Sequence, residues 1–143
     1  MAQKTHGLRD LTDFIKESGK MPKELSRQMR PMMRQSAQKP LAEVKRNASW
    51  SRRIPGATKI SVRFTKRFAG TAIVTDKNKA RHARPIEHRG KPGTFRHRVF
   101  GTNKWVKQKA RPFQAPVAKT WFKQADRDIA EVVDKVIKPL GYK

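Results

Sequence analysis

The sequence predicts an α+β domain: a small antiparallel sheet, Pro-kinked N-terminal helices, one long C-terminal amphipathic helix, and a long basic loop between sheet and last helix. Three observations predict it. Apolar residues recur at steps of three and four near both ends of the chain. They switch to strict alternation around Ile60–Phe64, and regularity is then lost in a strongly cationic stretch. Helices set around a few alternating strands make a mixed, two-layer domain. A length of 143 residues suits one such domain, 1–143.

The first helix is expected over 7–18, where Leu8, Leu11 and Ile15 share a face with Phe14 alongside and Gly19 is a natural stop. Pro22 suits the first turn of a second helix. Along it Leu25, Met29, Met32, Met33, Ala37, Leu41, Val44 and Ala48 keep the helical step, so the helical part runs over 7–50. Pro31 and Pro40 each remove a backbone donor, which predicts kinks or breaks near Arg30 and Lys39. Met21, Met29, Met32 and Met33 read as core at this spacing rather than as a plastic partner-binding face.

Beyond Ile54-Pro55-Gly56 the period becomes two. Ile60, Val62 and Phe64 alternate with Ser61, Arg63 and Thr65, and a second strand follows at about Gly70–Thr75. The short connection around Lys66–Gly70 makes 58–76 an antiparallel hairpin, with Arg63, Lys66 and Arg67 discouraging edge pairing. His82–Glu87 suits one helical turn, and Trp105–Lys109 a short third strand. From Arg89 to Asn103 the glycines and Pro92 predict irregular loop, so 77–111 reads as a basic aromatic arm. The last helix spans 115–138, with Val117, Trp121, Phe122, Ala125, Ile129, Val132, Val133, Val136 and Ile137 as its stripe, and Pro139 and Gly141 as its stop. Trp121 and Phe122 are expected to anchor it on the sheet.

Charge is the second axis of the reading. The formal net charge is +24, a field suited to nucleic acid, an anionic surface or acidic protein partners. Between Lys77 and Arg111 the bases include Arg84, Arg89, Lys91, Arg96, Arg98, Lys104, Lys107, Lys109 and Arg111, against one acid, Glu87. Four aromatics, Phe95, Phe100, Trp105 and Phe113, thread this stretch. Repulsion keeps such a segment open unless its aromatics dock on the fold, a neighbouring subunit or a polyanion. The same interleaving describes a single-strand nucleic-acid surface, so a stand-alone basic nucleic-acid-binding protein is the alternative reading.

Little else carries chemistry. No cysteine excludes a disulfide framework, and no apolar run suggests a signal peptide or membrane span, so a soluble protein, intracellular at synthesis, is expected. His82, His88 and Glu87 are the one cluster with ligand types, set in a positive field that disfavours a cation; no metal or cofactor is expected. Asp126, Asp128, Glu131 and Asp134 belong on the exposed face of the last helix, and neither a nucleophile elbow nor a phosphate loop is present; the chain does not read as an enzyme. Glu87, flanked by Arg84, His88 and Arg89, is expected to hold the basic loop through charge-assisted hydrogen bonds, such as a bidentate pair with an arginine.

The run His82-Ala83-Arg84-Pro85-Ile86-Glu87-His88, followed by Arg89-Gly90-Lys91, Val99-Phe100-Gly101, Trp105-Val106, Gln108 and Arg111-Pro112-Phe113 before Ala115-Pro116, resembles the small neck or tail-completion proteins of long-tailed bacteriophages. These are gene-product-ten-like, tail-terminator-like proteins, and the likeness is to their actinobacterial-phage branch. It covers Ile60–Ile137 in element order and 82–116 at motif level. It implies a ring, commonly of six copies, between the head-side connector or stopper and the tail-tube proteins, found in the virion neck and in host cytoplasm during assembly. On that reading Phe95, Phe100, Trp105 and Phe113 contact neighbours, and Glu87 and Arg111 fix the loop ends. Arg84, Arg89, Lys91, Arg96, Arg98, Lys104, Lys107 and Lys109 face passing DNA or acidic partners.

Overall fold

In the computed structural model, residues 7–19, 22–65 and 69–140 are described; Met21, Lys66, Arg67 and Gly141, named above, lie outside them. Helix α1, Gly7–Ser18, closes at Gly19, whose φ of +74° is the left-handed stop that glycine adopts without strain. Helix α2 is Lys23–Ser36 and α3 is Gln38–Asn47. The break between them falls at Ala37, not near Arg30 or Lys39 as expected. Pro40 is the third residue of α3, where backbone N–H groups lack intrahelical partners and a missing donor costs nothing. Pro31 sits inside α2 on its exposed side, where water can serve the orphaned carbonyl.

A short helix α4, Arg53–Ala57, feeds strand β1, Thr58–Phe64, which pairs antiparallel with β2, Ala69–Thr75. Register runs from Thr58 opposite Thr75 to Phe64 opposite Ala69, leaving four residues for the connection. Helix α5 is Ala83–Glu87, and the last helix, α6, is Ala115–Val132, continued by a wider π turn over Val133–Ile137. The first three helices and α6 pack on one another around the β1–β2 sheet.

Two apolar clusters hold this together. One joins Leu11, Phe14 and Ile15 of α1 to Leu25, Met29 and Met33 of α2, Val62 of β1, and Ile129, Val132, Val133 and Ile137. Met29 and Met33 are therefore core, and Met32 is half-buried against it. The other gathers Val44, Ala48, Ile54, Ala57, Ala80, Ala83, Phe113 and Val117, with Ile73 and Trp121 packed on its rim. Phe122 departs from expectation: at 68% exposure it is not buried against the sheet. One residue past Trp121 is about 100° around the helix, which carries it out of the seam. Arg30 ties α2 to β1 by donating to the Val62 carbonyl (2.9 Å) while its guanidinium lies over the Phe64 ring at 5.1 Å.

Candidate functional site

Glu87, the last residue of α5, reaches across 26 to 28 positions of sequence to the start of α6. Its Oε2 accepts the backbone N–H of Phe113 (2.7 Å) and of Gln114 (3.1 Å), and its Oε1 accepts that of Ala115 (2.9 Å). A helix begins with unsatisfied N–H groups and the positive end of its dipole, so a carboxylate is the complementary cap. The local N-cap residue, Gln114, does not cap the helix; its side-chain amide instead donates to Thr75 Oγ1 (2.8 Å). Thr75 meets Thr58 Oγ1 (2.9 Å), which in turn donates to the Ile54 carbonyl (2.7 Å). One polar chain thus links α4, both strands and α6. An arginine was the expected partner of Glu87; its carboxylate instead accepts from three backbone donors at the start of α6.

The chain leaves α5 through three consecutive left-handed residues: His88 (φ 48°), Arg89 (φ 55°) and Gly90 (φ 74°). For the two non-glycines this costs roughly 1–2 kcal/mol each. At Gly90 a Cβ would stand 2.5 Å from the Ala115 Cβ, so only glycine lets this turn lie on the first residue of α6. Arg111 closes the other side: its N–H donates to the Ile86 carbonyl (2.9 Å) and its guanidinium lies 5.5 Å from the Trp50 ring centre. Next to it, Ala110 N–H donates to the Gly93 carbonyl (2.8 Å).

What this base carries is not an irregular loop. Residues Thr94–Arg98 form a strand, β3, paired antiparallel with β4, Trp105–Lys109. Phe95 and His97 alternate with Thr94, Arg96 and Arg98, which is a strand pattern that the surrounding glycines and proline hide. Register places Arg96 opposite Lys107, Arg98 opposite Trp105 and Thr94 opposite Lys109. Directly opposed residues share a face of a ribbon. One face of the hairpin is therefore Arg96, Arg98, Trp105, Lys107 and Lys109. The other is Phe95, His97, Val106 and Gln108, and there Phe95 packs on His88 with ring centres 6.4 Å apart.

The four aromatics expected to face partners fall into three environments. Phe100, at the tip, is fully exposed (102%), and Trp105 is 57% exposed, while Phe95 is half-buried at the base. Phe113 is a correction: at 1% exposure it is core, packed beside Val117 under the junction that Glu87 holds, and it has no surface to offer a partner. Among the bases, Lys91, Arg96, Arg98, Lys104, Lys107 and Lys109 are exposed on the hairpin or its approach. Arg84 and Arg89 stand beside Glu87 instead, lining with Lys77 a groove of about 440 Å³ between β2 and the start of α6. Arg98 folds back on the turn, donating to the Thr102 carbonyl (3.0 Å) and to the Asn103 side chain. His82 bonds Ser51 Oγ (3.2 Å), and among the described residues no three His, Asp or Glu side chains are grouped to hold a metal ion. No helix among them is long and apolar enough to cross a membrane.

Sequence reasoning missed Phe122 and Val106 as exposed apolar groups and missed Gly90 as a packing requirement. The helical wheel around Trp121 was a usable signal for the first, and the alternation of β4 for the second. Only the tertiary structure brings Gly90 to Ala115. No family model matches this chain, and no curated protein or solved structure matches it either.

Proposed function

We propose that the chain is a non-enzymatic structural subunit of an oligomeric ring, of the kind that joins the head connector to the tail tube at the neck of a long-tailed phage, commonly with six copies. The β3–β4 hairpin is the arm by which one subunit reaches the next or an adjoining ring. One observation carries this reading: the hairpin projects with Phe100 and Trp105 exposed, on a base held by Glu87, Gly90 and Arg111. A two-stranded hairpin alone is at best marginally stable in water. Large exposed aromatics on one mark an interaction surface, and closed symmetry supplies a partner for it at every position of a ring.

The test is assembly set beside stability. Electron microscopy and native mass spectrometry of the full chain, alone and with connector and tail-tube proteins, are expected to show rings. Trp105→Ala and Phe100→Ala are expected to abolish them while the melting temperature stays near wild type. A wild-type chain that remains a monomer and joins no virion would remove the proposal.

A further inference from the structure

We infer that the cationic face of the β3–β4 hairpin is a duplex-DNA-binding ribbon, with Arg96, Lys107 and Lys109 on phosphates. This goes beyond the ring reading, since a single copy of the chain suffices for it. The register puts the three cations on one face together with Trp105. Their side chains make no hydrogen bond or ion pair among the described residues. From His88 to Phe113 the sequence holds no acid, and Glu87 at the base is committed to backbone N–H groups. An unneutralised row of cations is complementary to a polyanion.

Duplex DNA fits it better than an acidic protein surface does. A major groove about 12 Å wide admits a two-stranded ribbon, which brings both strands within reach of phosphates. Lys107 and Lys109 are separated by roughly 7 Å along their strand, with Arg96 directly across from Lys107. Arg98, bonded into the turn, stiffens the tip rather than contacting phosphate.

The experiment is fluorescence anisotropy of the full chain with a labelled duplex two helical turns long, across a salt series. The variant Arg96→Gln/Lys107→Gln/Lys109→Gln is compared with Arg34→Gln/Arg46→Gln/Arg52→Gln, which removes the same charge from exposed positions elsewhere. The hairpin variant is expected to lower the slope of log affinity against log salt by about 2 to 3, with at least roughly tenfold weaker binding than the control variant at low salt. Equal losses in the two variants would reduce the effect to overall charge and overturn the inference. So would equal or tighter binding of a single strand of the same length, or of polyglutamate, since neither offers a groove. The three substituted hairpin positions are exposed, and thermal melting checks the fold; if the triple variant melts early, Arg96→Gln/Lys107→Gln carries the same comparison. Microscopy of the same samples without DNA reads ring formation separately, so each proposal fails on its own measurement.

Discussion

The carboxylate of Glu87 accepts the backbone N–H of Ala115 at 2.9 Å, so the residue that ends α5 also starts α6. The usual cap comes from the residue just ahead of a helix. Here it comes from a separate helix, with the whole projecting hairpin inserted between donor and acceptor. The hairpin base and the start of the last helix are thereby held by one side chain.

Removing that cap should show directly. Glu87→Ala leaves three partly buried N–H groups without their acceptor and should destabilise the domain by roughly 2–3 kcal/mol. Glu87→Gln keeps one acceptor oxygen, turns an amide NH2 toward the remaining donor and loses the charge, and should cost about 1–2 kcal/mol. Urea unfolding measures both, and equal stability of Glu87→Ala and wild type would dismiss the capping role.

Gly90 and Gly101 offer a matched pair. Both have φ near +75°, yet a Cβ at 101 meets open space while one at 90 strikes Ala115. Gly101→Ala should therefore cost about 1 kcal/mol from backbone strain, and Gly90→Ala distinctly more, roughly 2–4 kcal/mol. Similar melting temperatures for the two variants would mean that the turn relaxes away from α6.

Phe113 and Phe100 should part company in the same assay. Phe113→Ala empties a site in the second core cluster and should cost roughly 3–5 kcal/mol. Phe100→Ala, at a fully exposed tip, should stay within about 0.5 kcal/mol of wild type. Denaturation midpoints decide it, and a large loss from Phe100→Ala would place that ring on its own domain in solution.

Pro31 predicts a gain. Alanine at this exposed interior position of α2 restores a backbone donor and removes a clash with the preceding turn, which should stabilise the chain by about 1–3 kcal/mol. Loss of stability would show that the proline shapes α2 for its packing on β1.

Much of the fold was legible because its elements depend on local period. The bounds of α1, the alternation that pairs Ile60 with Ile73, and the long stripe of α6 all follow from residues a few positions apart. The prolines misled because their cost depends on position in the helix: in the first turn of α3 there was no bond to lose. The third and fourth strands were half legible, since β4 alternates openly whereas β3 is flanked by Gly90, Gly93 and Pro92, which read locally as loop. Phe113 groups with the arm in sequence because charge density does not distinguish a ring pointing in from one pointing out. Its place just before the N-cap of α6, a customary seat for a buried apolar group, was the missed clue. Glu87 stands out by its isolation in sequence, but its partners are backbone atoms and so leave no trace in residue types.

Because Ala110 is bonded to Gly93, and Arg111 to Ile86, the two legs of the hairpin are clamped together where they enter the domain. The projection is a lever about 17 Å long, five residues to a side, with its fulcrum against the opening turn of α6. The foot of that lever and the first turn of the longest helix rest on the same carboxylate, so the two elements share a single support.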